Sequence, residues 1–232
     1  MDKLEQLKKE YELKKDLIKK RLEEFKKFYY SPVSWFFTDN IMTLKEVNTP
    51  DDERLFEELC FCILTANASA VMGMRCIDKL RGVLLKGTEK EIQEKLTGSH
   101  IYPNIRAKFI IHTREYLKNE FNFKLKEKLE SFKDDESRRD FFATNKGIKG
   151  LGFKEASHYL RNIGFSGYSI LDKHIINSLY EFGFLDKIDK PNNKKKYLLI
   201  EEKFKDLSNK TGIHMDALDL LLWSRKNGKI LK

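Results

Sequence analysis

Cysteine is scarce in this sequence and absent after position 76. The three that occur, Cys60, Cys62 and Cys76, are odd in number and crowded into one apolar region, which fits reduced, buried thiols and argues against a disulfide framework. Long hydrophobic runs are missing as well. No stretch approaches the ~18 uninterrupted apolar residues of a membrane span, and the first residues alternate charges where a signal peptide would carry an apolar core. Both absences imply a soluble, cytoplasmic protein. His158, His174 and His214 have no spacing with the cysteines that would make a metal site, so no metal cofactor is expected. Alternating strand patterns are also lacking, and the fold class expected is all-α. Acidic residues are the minority charge: 45 Lys and Arg against 36 Asp and Glu leave a net charge of +9. That surplus favours an acidic polymer as partner, nucleic acid best of all. With 232 residues, 41% of them hydrophobic, the chain can fill the core of one or two compact domains.

Residues 1–30 read as one long charged helix in which Leu4, Leu7, Tyr11, Ile18, Leu22, Phe25 and Tyr29 make a narrow apolar stripe that must pack on something. Its lysines alternate with glutamates, which describes an ordinary solvated face better than a DNA-binding one. Ser31-Pro32 and Thr49-Pro50-Asp51-Asp52 break the chain. Residues 53–65 then form a buried helix, a polar turn at Ala66-Asn67-Ala68-Ser69 follows, and Val71 to Leu80 continue as helix. Residues 122–146 are charged with sparse apolar positions, where a helix such as Asp134 to Thr144 is expected with no assigned chemistry.

The most informative stretch runs from Lys146 to Gly164, with Asp172 beyond it. It reads as helix, tight turn, helix. Gly147, Gly150 and Gly152 allow positive φ and close approach of a ligand to the backbone, while Ala156, Tyr159, Leu160 and Ile163 recur at helical spacing behind them. Amide N–H groups in such a turn and at the start of the next helix are suited to hold a phosphate, with Lys149, Lys154 and Arg161 supplying charge. A lysine amine can also attack the anomeric carbon of a nucleoside and form a Schiff base with the opened sugar, provided it is neutral at that moment. The helix dipole and the like charge of Lys149 both act against the ammonium at Lys154. Asp172 would stabilise positive charge on the sugar. It also fits as the N-cap of the helix beginning at Lys173, and the two roles are compatible.

Ile148-Lys149-Gly150-Leu151-Gly152, the lysine two residues later and Ile170-Leu171-Asp172-Lys173-His174 together resemble the helix-hairpin-helix DNA glycosylases. One departure is that Gly164-Phe165-Ser166-Gly167 lacks a proline many relatives carry. The resemblance puts the family's catalytic lysine on Lys154 and its aspartate on Asp172. It makes Gly150 and Gly152 part of the DNA-binding hairpin, and Asn67 the residue that fills the gap left by a flipped nucleotide, although an asparagine between helices is otherwise simply a cap. Arg106 and Lys108 would contact phosphate. The family's two helical lobes, about 31–60 with 175–232 and about 61–174, would flank a basic cleft. Several relatives bind an iron–sulfur cluster with four C-terminal cysteines, which this chain does not have; a structural monovalent cation at the hairpin remains compatible with DNA binding.

In the last stretch Asp216, Asp219 and Trp223 fall on one helical face, so that an acid and an indole can converge on a planar base. With the chain ending at Lys232 after a break at Gly228, this region resembles the compact, archaeal-type 8-oxoguanine DNA glycosylases. By that resemblance Asp219 and Trp223 line the base pocket, and Lys232 presents its ammonium or terminal carboxylate to it. The expected protein is a monomer that binds duplex DNA containing 8-oxoguanine and acts as glycosylase and abasic-site lyase. A glycosylase for another lesion, or a non-catalytic hairpin module, are the alternatives left open by the sequence.

Overall fold

The computed structural model of the chain describes residues 2–39 and 41–232. Its elements, in order, are α1 (Lys3–Tyr30), β1 (Val33–Thr38), β2 (Ile41–Glu46), α2 (Asp51–Thr65), α3 (Ala70–Leu80), α4 (Glu89–Leu96), α5 (Pro103–Phe121), α6 (Leu125–Glu130), α7 (Asp135–Thr144), α8 (Phe153–Asn162), α9 (Lys173–Glu181), α10 (Lys194–Thr211) and α11 (Met215–Asn227).

α1 is capped by Asp2, whose side chain accepts from the Leu4 amide at 3.2 Å, and ends at Ser31, ahead of Pro32. Its stripe is buried at Leu7, Ile18, Phe25 and Tyr29, with Phe28 added, and Leu4, Tyr11 and Leu22 partly covered. The helix packs along α11 and touches α10, α8 and β1, so it belongs to the body of the protein.

The fold is helical as expected, with one small two-stranded sheet that the sequence reading did not locate. β1 and β2 form an antiparallel hairpin running from Val33↔Glu46 to Thr38↔Ile41. Val33-Ser-Trp-Phe-Phe-Thr has the branched and aromatic residues of a strand, but its burial does not alternate, because Val33, Ser34 and Trp35 are all covered. The strand signal lies in composition, and a search for period-two alternation passes over it.

α2 is the central element. From Leu55 to Thr65 all but Glu57 are buried, and α3, α5, α6 and α8 all pack on it. Arg54 at its start is 1% exposed and donates to the carbonyls of Phe28 and Val33 at 2.8 Å each, fastening α1 and β1 to α2. The lobe limits anticipated at 60/61 and 174/175 fall inside α2 and α9, which run straight through them. Cys60, Cys62 and Cys76 are free thiols in the core. α7 occupies the expected span, yet its charges are not all solvated: Arg139 is buried and grips Glu201 of α10 with both terminal nitrogens, at 2.6 and 3.0 Å.

Candidate active site

The turn before α8 is built from local contacts. Asn145 accepts from the Gly147 amide at 2.8 Å, and the Lys149 amide donates to Thr113 Oγ1 at 3.0 Å. Of the three turn glycines, Gly150 alone takes positive φ, +82°, and a Cβ there would meet the Phe109 ring at 2.7 Å. Gly147 is required for a different reason, since a Cβ would enter the Tyr116 ring. Gly152 is the N-cap of α8, at φ −114°, and its amide donates to Glu155 Oε2 at 3.3 Å.

Lys154 lies in the first turn of α8, its side chain 31% exposed and its Nζ 2.9 Å from Glu155 Oε1. Asp172 starts α9. Its Oδ1 accepts from the amides of His174 and Ile175 at 2.7 and 2.9 Å, and its Oδ2 accepts from the indole N–H of Trp223 at 2.8 Å. The cap is as expected; the indole contact, across 51 residues, is an addition. Lys154, Asp172, Asp219 and Trp223 line one cavity together with Thr65, His158, Arg161, Leu231 and Lys232.

Two predicted site residues, Arg106 and Arg161, stand elsewhere than expected, and the ammonium of a third, Lys232, has a partner outside the cavity. Arg106 is buried and donates to the carbonyl of Ala66, so it supports the turn that carries Asn67 and does not face solvent. Arg161 is 4% exposed, lies over Phe25 with 4.7 Å to the ring centroid, and pairs with Asp219 Oδ2 at 3.3 Å, inside the cavity wall and away from the hairpin surface. Lys232 lines the cavity, but its ammonium is turned away: Nζ sits 2.5 Å from Glu58 Oε2 and 4.0 Å from the Phe61 ring centroid. Burial lowers the pKa of that amine, with Glu58 opposing the shift. A lone ammonium would be costly so deep in the core, and Glu58 is the partner that makes the position tenable. Glu58 also accepts from Asn162 of α8 at 2.7 Å.

Asp219 does belong to the cavity. It is 3% exposed, burial pushes its pKa up to about 7 against the pull of Arg161, and its Oδ1 has no partner among the described residues. His158 was not expected at the site. Burial, then Arg161, Lys154 and Lys232, hold its pKa well below the usual histidine range, so it faces the cavity as a neutral imidazole. The spacing of Lys154, His158 and Arg161, at i, i+4 and i+7, is the sequence signal that places all three on one face of α8.

Beyond the cavity a wider cleft is lined by Asn67, Ser69, Gly152, Lys154, Asp172, His174, Lys190 and Lys226. Asn67 is exposed at the tip of its turn in the left-handed region, φ +62°. Lys108 is exposed on α5. Among the described residues no three His, Cys, Asp or Glu side chains gather as they would around a metal ion, and no helix is long and apolar enough to cross a membrane.

Residues 37–213 match the family model described as 8-oxoguanine DNA glycosylase. The chain belongs to this family. A relative from Methanocaldococcus jannaschii, named 8-oxoguanine DNA glycosylase/AP lyase, is 37% identical over 219 residues, which are 94% of this chain and 93% of the relative. A protein of the same name from Korarchaeum cryptofilum is 42% identical over 182 residues, covering 78% and 84%. Among solved structures, the crystal structure of the M. jannaschii glycosylase superposes with a TM-score of 0.81 at 34% identity, covering 99% of this chain and 95% of that one. The same glycosylase/lyase in complex with a 15mer DNA containing 8-oxoguanine gives 0.80 at 36% identity, over 97% and 99%. In this glycosylase, α1 and α11 lie outside the span of the family model, yet α11 supplies both Asp219 and Trp223 to the cavity.

Proposed function

We propose that the chain excises 8-oxoguanine from duplex DNA and then cleaves the strand, with Lys154 as nucleophile and Asp172 as the carboxylate that assists it. The observation that carries this reading is the convergence of the two in one cavity with an indole and a buried acid, each held by the first turn of its own helix. The duplex lies across the cleft, held at the turn of Lys149, Gly150 and Gly152, with Lys108 toward its phosphates and Asn67 in the gap left by the extruded nucleotide.

The extruded base enters the cavity beside Trp223. Asp219 offers an acceptor whose lone pairs are otherwise unused, and this suits a base that bears a proton on N7; guanine, without that proton, leaves the acceptor unsatisfied. Lys154, freed of its proton and of Glu155, attacks C1′ as the bond from C1′ to N9 breaks and its electron pair leaves with the base. Asp172 stabilises the positive charge that develops on the sugar. Opening of the sugar ring gives a Schiff base between Nζ and C1′. Loss of a proton from C2′ then expels the 3′ phosphate, and water hydrolyses the Schiff base to return Lys154. Such a substrate puts the protein with the chromosome, in the cytoplasm.

The test is reductive trapping. Incubated with an 8-oxoguanine duplex and borohydride, the protein should become covalently joined to the DNA, and Lys154→Gln should not. An adduct that persists in Lys154→Gln moves the nucleophile elsewhere. A wild-type protein that binds the duplex without releasing base or forming an adduct overturns the lyase reading and leaves another lesion or a binding module.

A further inference from the structure

The far wall of the cavity is held by an element outside the matched family span. Three side chains of α1 reach α11 or the segment after it: Lys14 donates to Ser224 Oγ at 2.8 Å, Glu10 pairs with Arg225 at 3.1 Å, and Arg21 donates through Nη2 to the carbonyl of Ile230 at 3.3 Å. Arg21 is the most telling of these. Its side chain is only 13% exposed, its guanidinium lies 4.9 Å from the Trp35 ring centroid, and it forms an ion pair with Glu24 at 2.9 Å. The ammonium of Lys232 lies 5.4 Å from the centroid of that same indole.

Residues 229–232 belong to no helix or strand. Their backbone path therefore depends on side chains of other elements, with Arg21 holding the carbonyl at 230 and Glu58 the ammonium at 232. Leu231 and Lys232, the residues between and at these anchors, are the ones that line the cavity. We propose that Arg21 is a positioning residue for lesion specificity, fixing residues 230–232 so that the cavity fits the oxidised base and not guanine. This assigns α1 a role in recognition that its solvated, alternating charges do not suggest. The inference rests on the excision reading, and its test is arranged to separate the two.

Arg21→Met keeps an aliphatic stem beside Trp35 and removes the donors. In a Lys154→Gln background, where no base is released, the ratio of Kd for a guanine duplex to Kd for an 8-oxoguanine duplex should fall about tenfold on adding Arg21→Met. With Lys154 intact, cleavage of a preformed abasic duplex, which has no base to recognise, should stay within about twofold of wild type. Amide exchange at residues 229–232 should rise about tenfold. Arg21→Lys, which keeps the charge and one donor near Trp35, should restore part of the ratio and serves in place of Arg21→Met if that variant folds poorly. An unchanged ratio, abasic cleavage that falls in step with it, or unchanged exchange each overturn the proposal. A protein with no preference for 8-oxoguanine before Arg21 is altered overturns the excision reading instead, and the exchange measurement still decides whether Arg21 holds the segment.

Discussion

Lys154 and Asp172 on one side of the cavity are placed by turns within a few residues of themselves: Gly150, Gly152 and Glu155 for the lysine, the amides of 174 and 175 for the aspartate. Lys232, on the other side, is placed by Glu58, 174 residues earlier in the chain, and by the rings of Phe61 and Trp35. Both sides carry charged residues, but only on the first does sequence spacing tell where the charge points. A residue held by its neighbours in the chain keeps its orientation whatever surrounds it. A residue at the end of an irregular segment goes where distant partners draw it, and here they draw an ammonium into the core.

The contrast can be broken most forcefully at Asp172. Asp172→Asn keeps an N-cap side chain, so α9 should survive, but it removes the charge and turns an amide N–H toward the Trp223 N–H. Single-turnover base excision should slow by about 10³-fold with the melting temperature little changed; parallel losses of rate and stability would show that the local turn does not act alone. Glu58→Gln probes the other side. It leaves the Lys232 ammonium buried without its counter-charge, and the protein should lose about 3 kcal/mol, read as a melting temperature lower by about 10 °C. A variant as stable as wild type would mean the tertiary anchor is not what holds Lys232.

Gly150→Ala forces a Cβ into positive φ and against Phe109. It should cost about 1–3 kcal/mol and weaken duplex binding most visibly at low salt. A further test concerns Asp219. Its folded pKa, about 7, lies above the ordinary aspartate value, so the folded state holds a proton that the unfolded chain has released. That group's contribution to stability is therefore present below about pH 4 and is lost as pH rises to about 7. Chemical denaturation across this range should show the decline, and Asp219→Asn should flatten it. Affinity for the 8-oxoguanine duplex should strengthen as pH passes about 7 and the carboxylate forms, a step absent from Asp219→Asn.

Much of this was legible in the sequence because it is local. The hairpin, Asp172 as a cap, the breaks at Pro32 and Pro50, the helix from 135 to 144 and the buried face of α8 follow from turn residues and helical period. What escaped were long charged side chains that face inward. Arg54, Arg106, Arg139 and Arg161 look solvated on a helical wheel, and each is buried on an acceptor in another element: the carbonyls of Phe28 and Ala66, and the carboxylates of Glu201 and Asp219. Trp223 was assigned to the cavity, but its bond to Asp172 depends on how α11 crosses the start of α9, which no spacing within either helix encodes. The β1–β2 hairpin escaped because its strands are short and β1 is covered at three successive positions.

The three thiols bear on how such an enzyme survives in its own working conditions. Agents that oxidise guanine also attack cysteine, and a cysteine is attacked as thiolate far more readily than as thiol. Cys60, Cys62 and Cys76 are all sealed from solvent, and burial raises their pKa values, to about 11 for Cys76 and well above the ordinary range for the other two. They stay protonated and out of reach near neutral pH, so none of the three offers an oxidant an exposed thiolate.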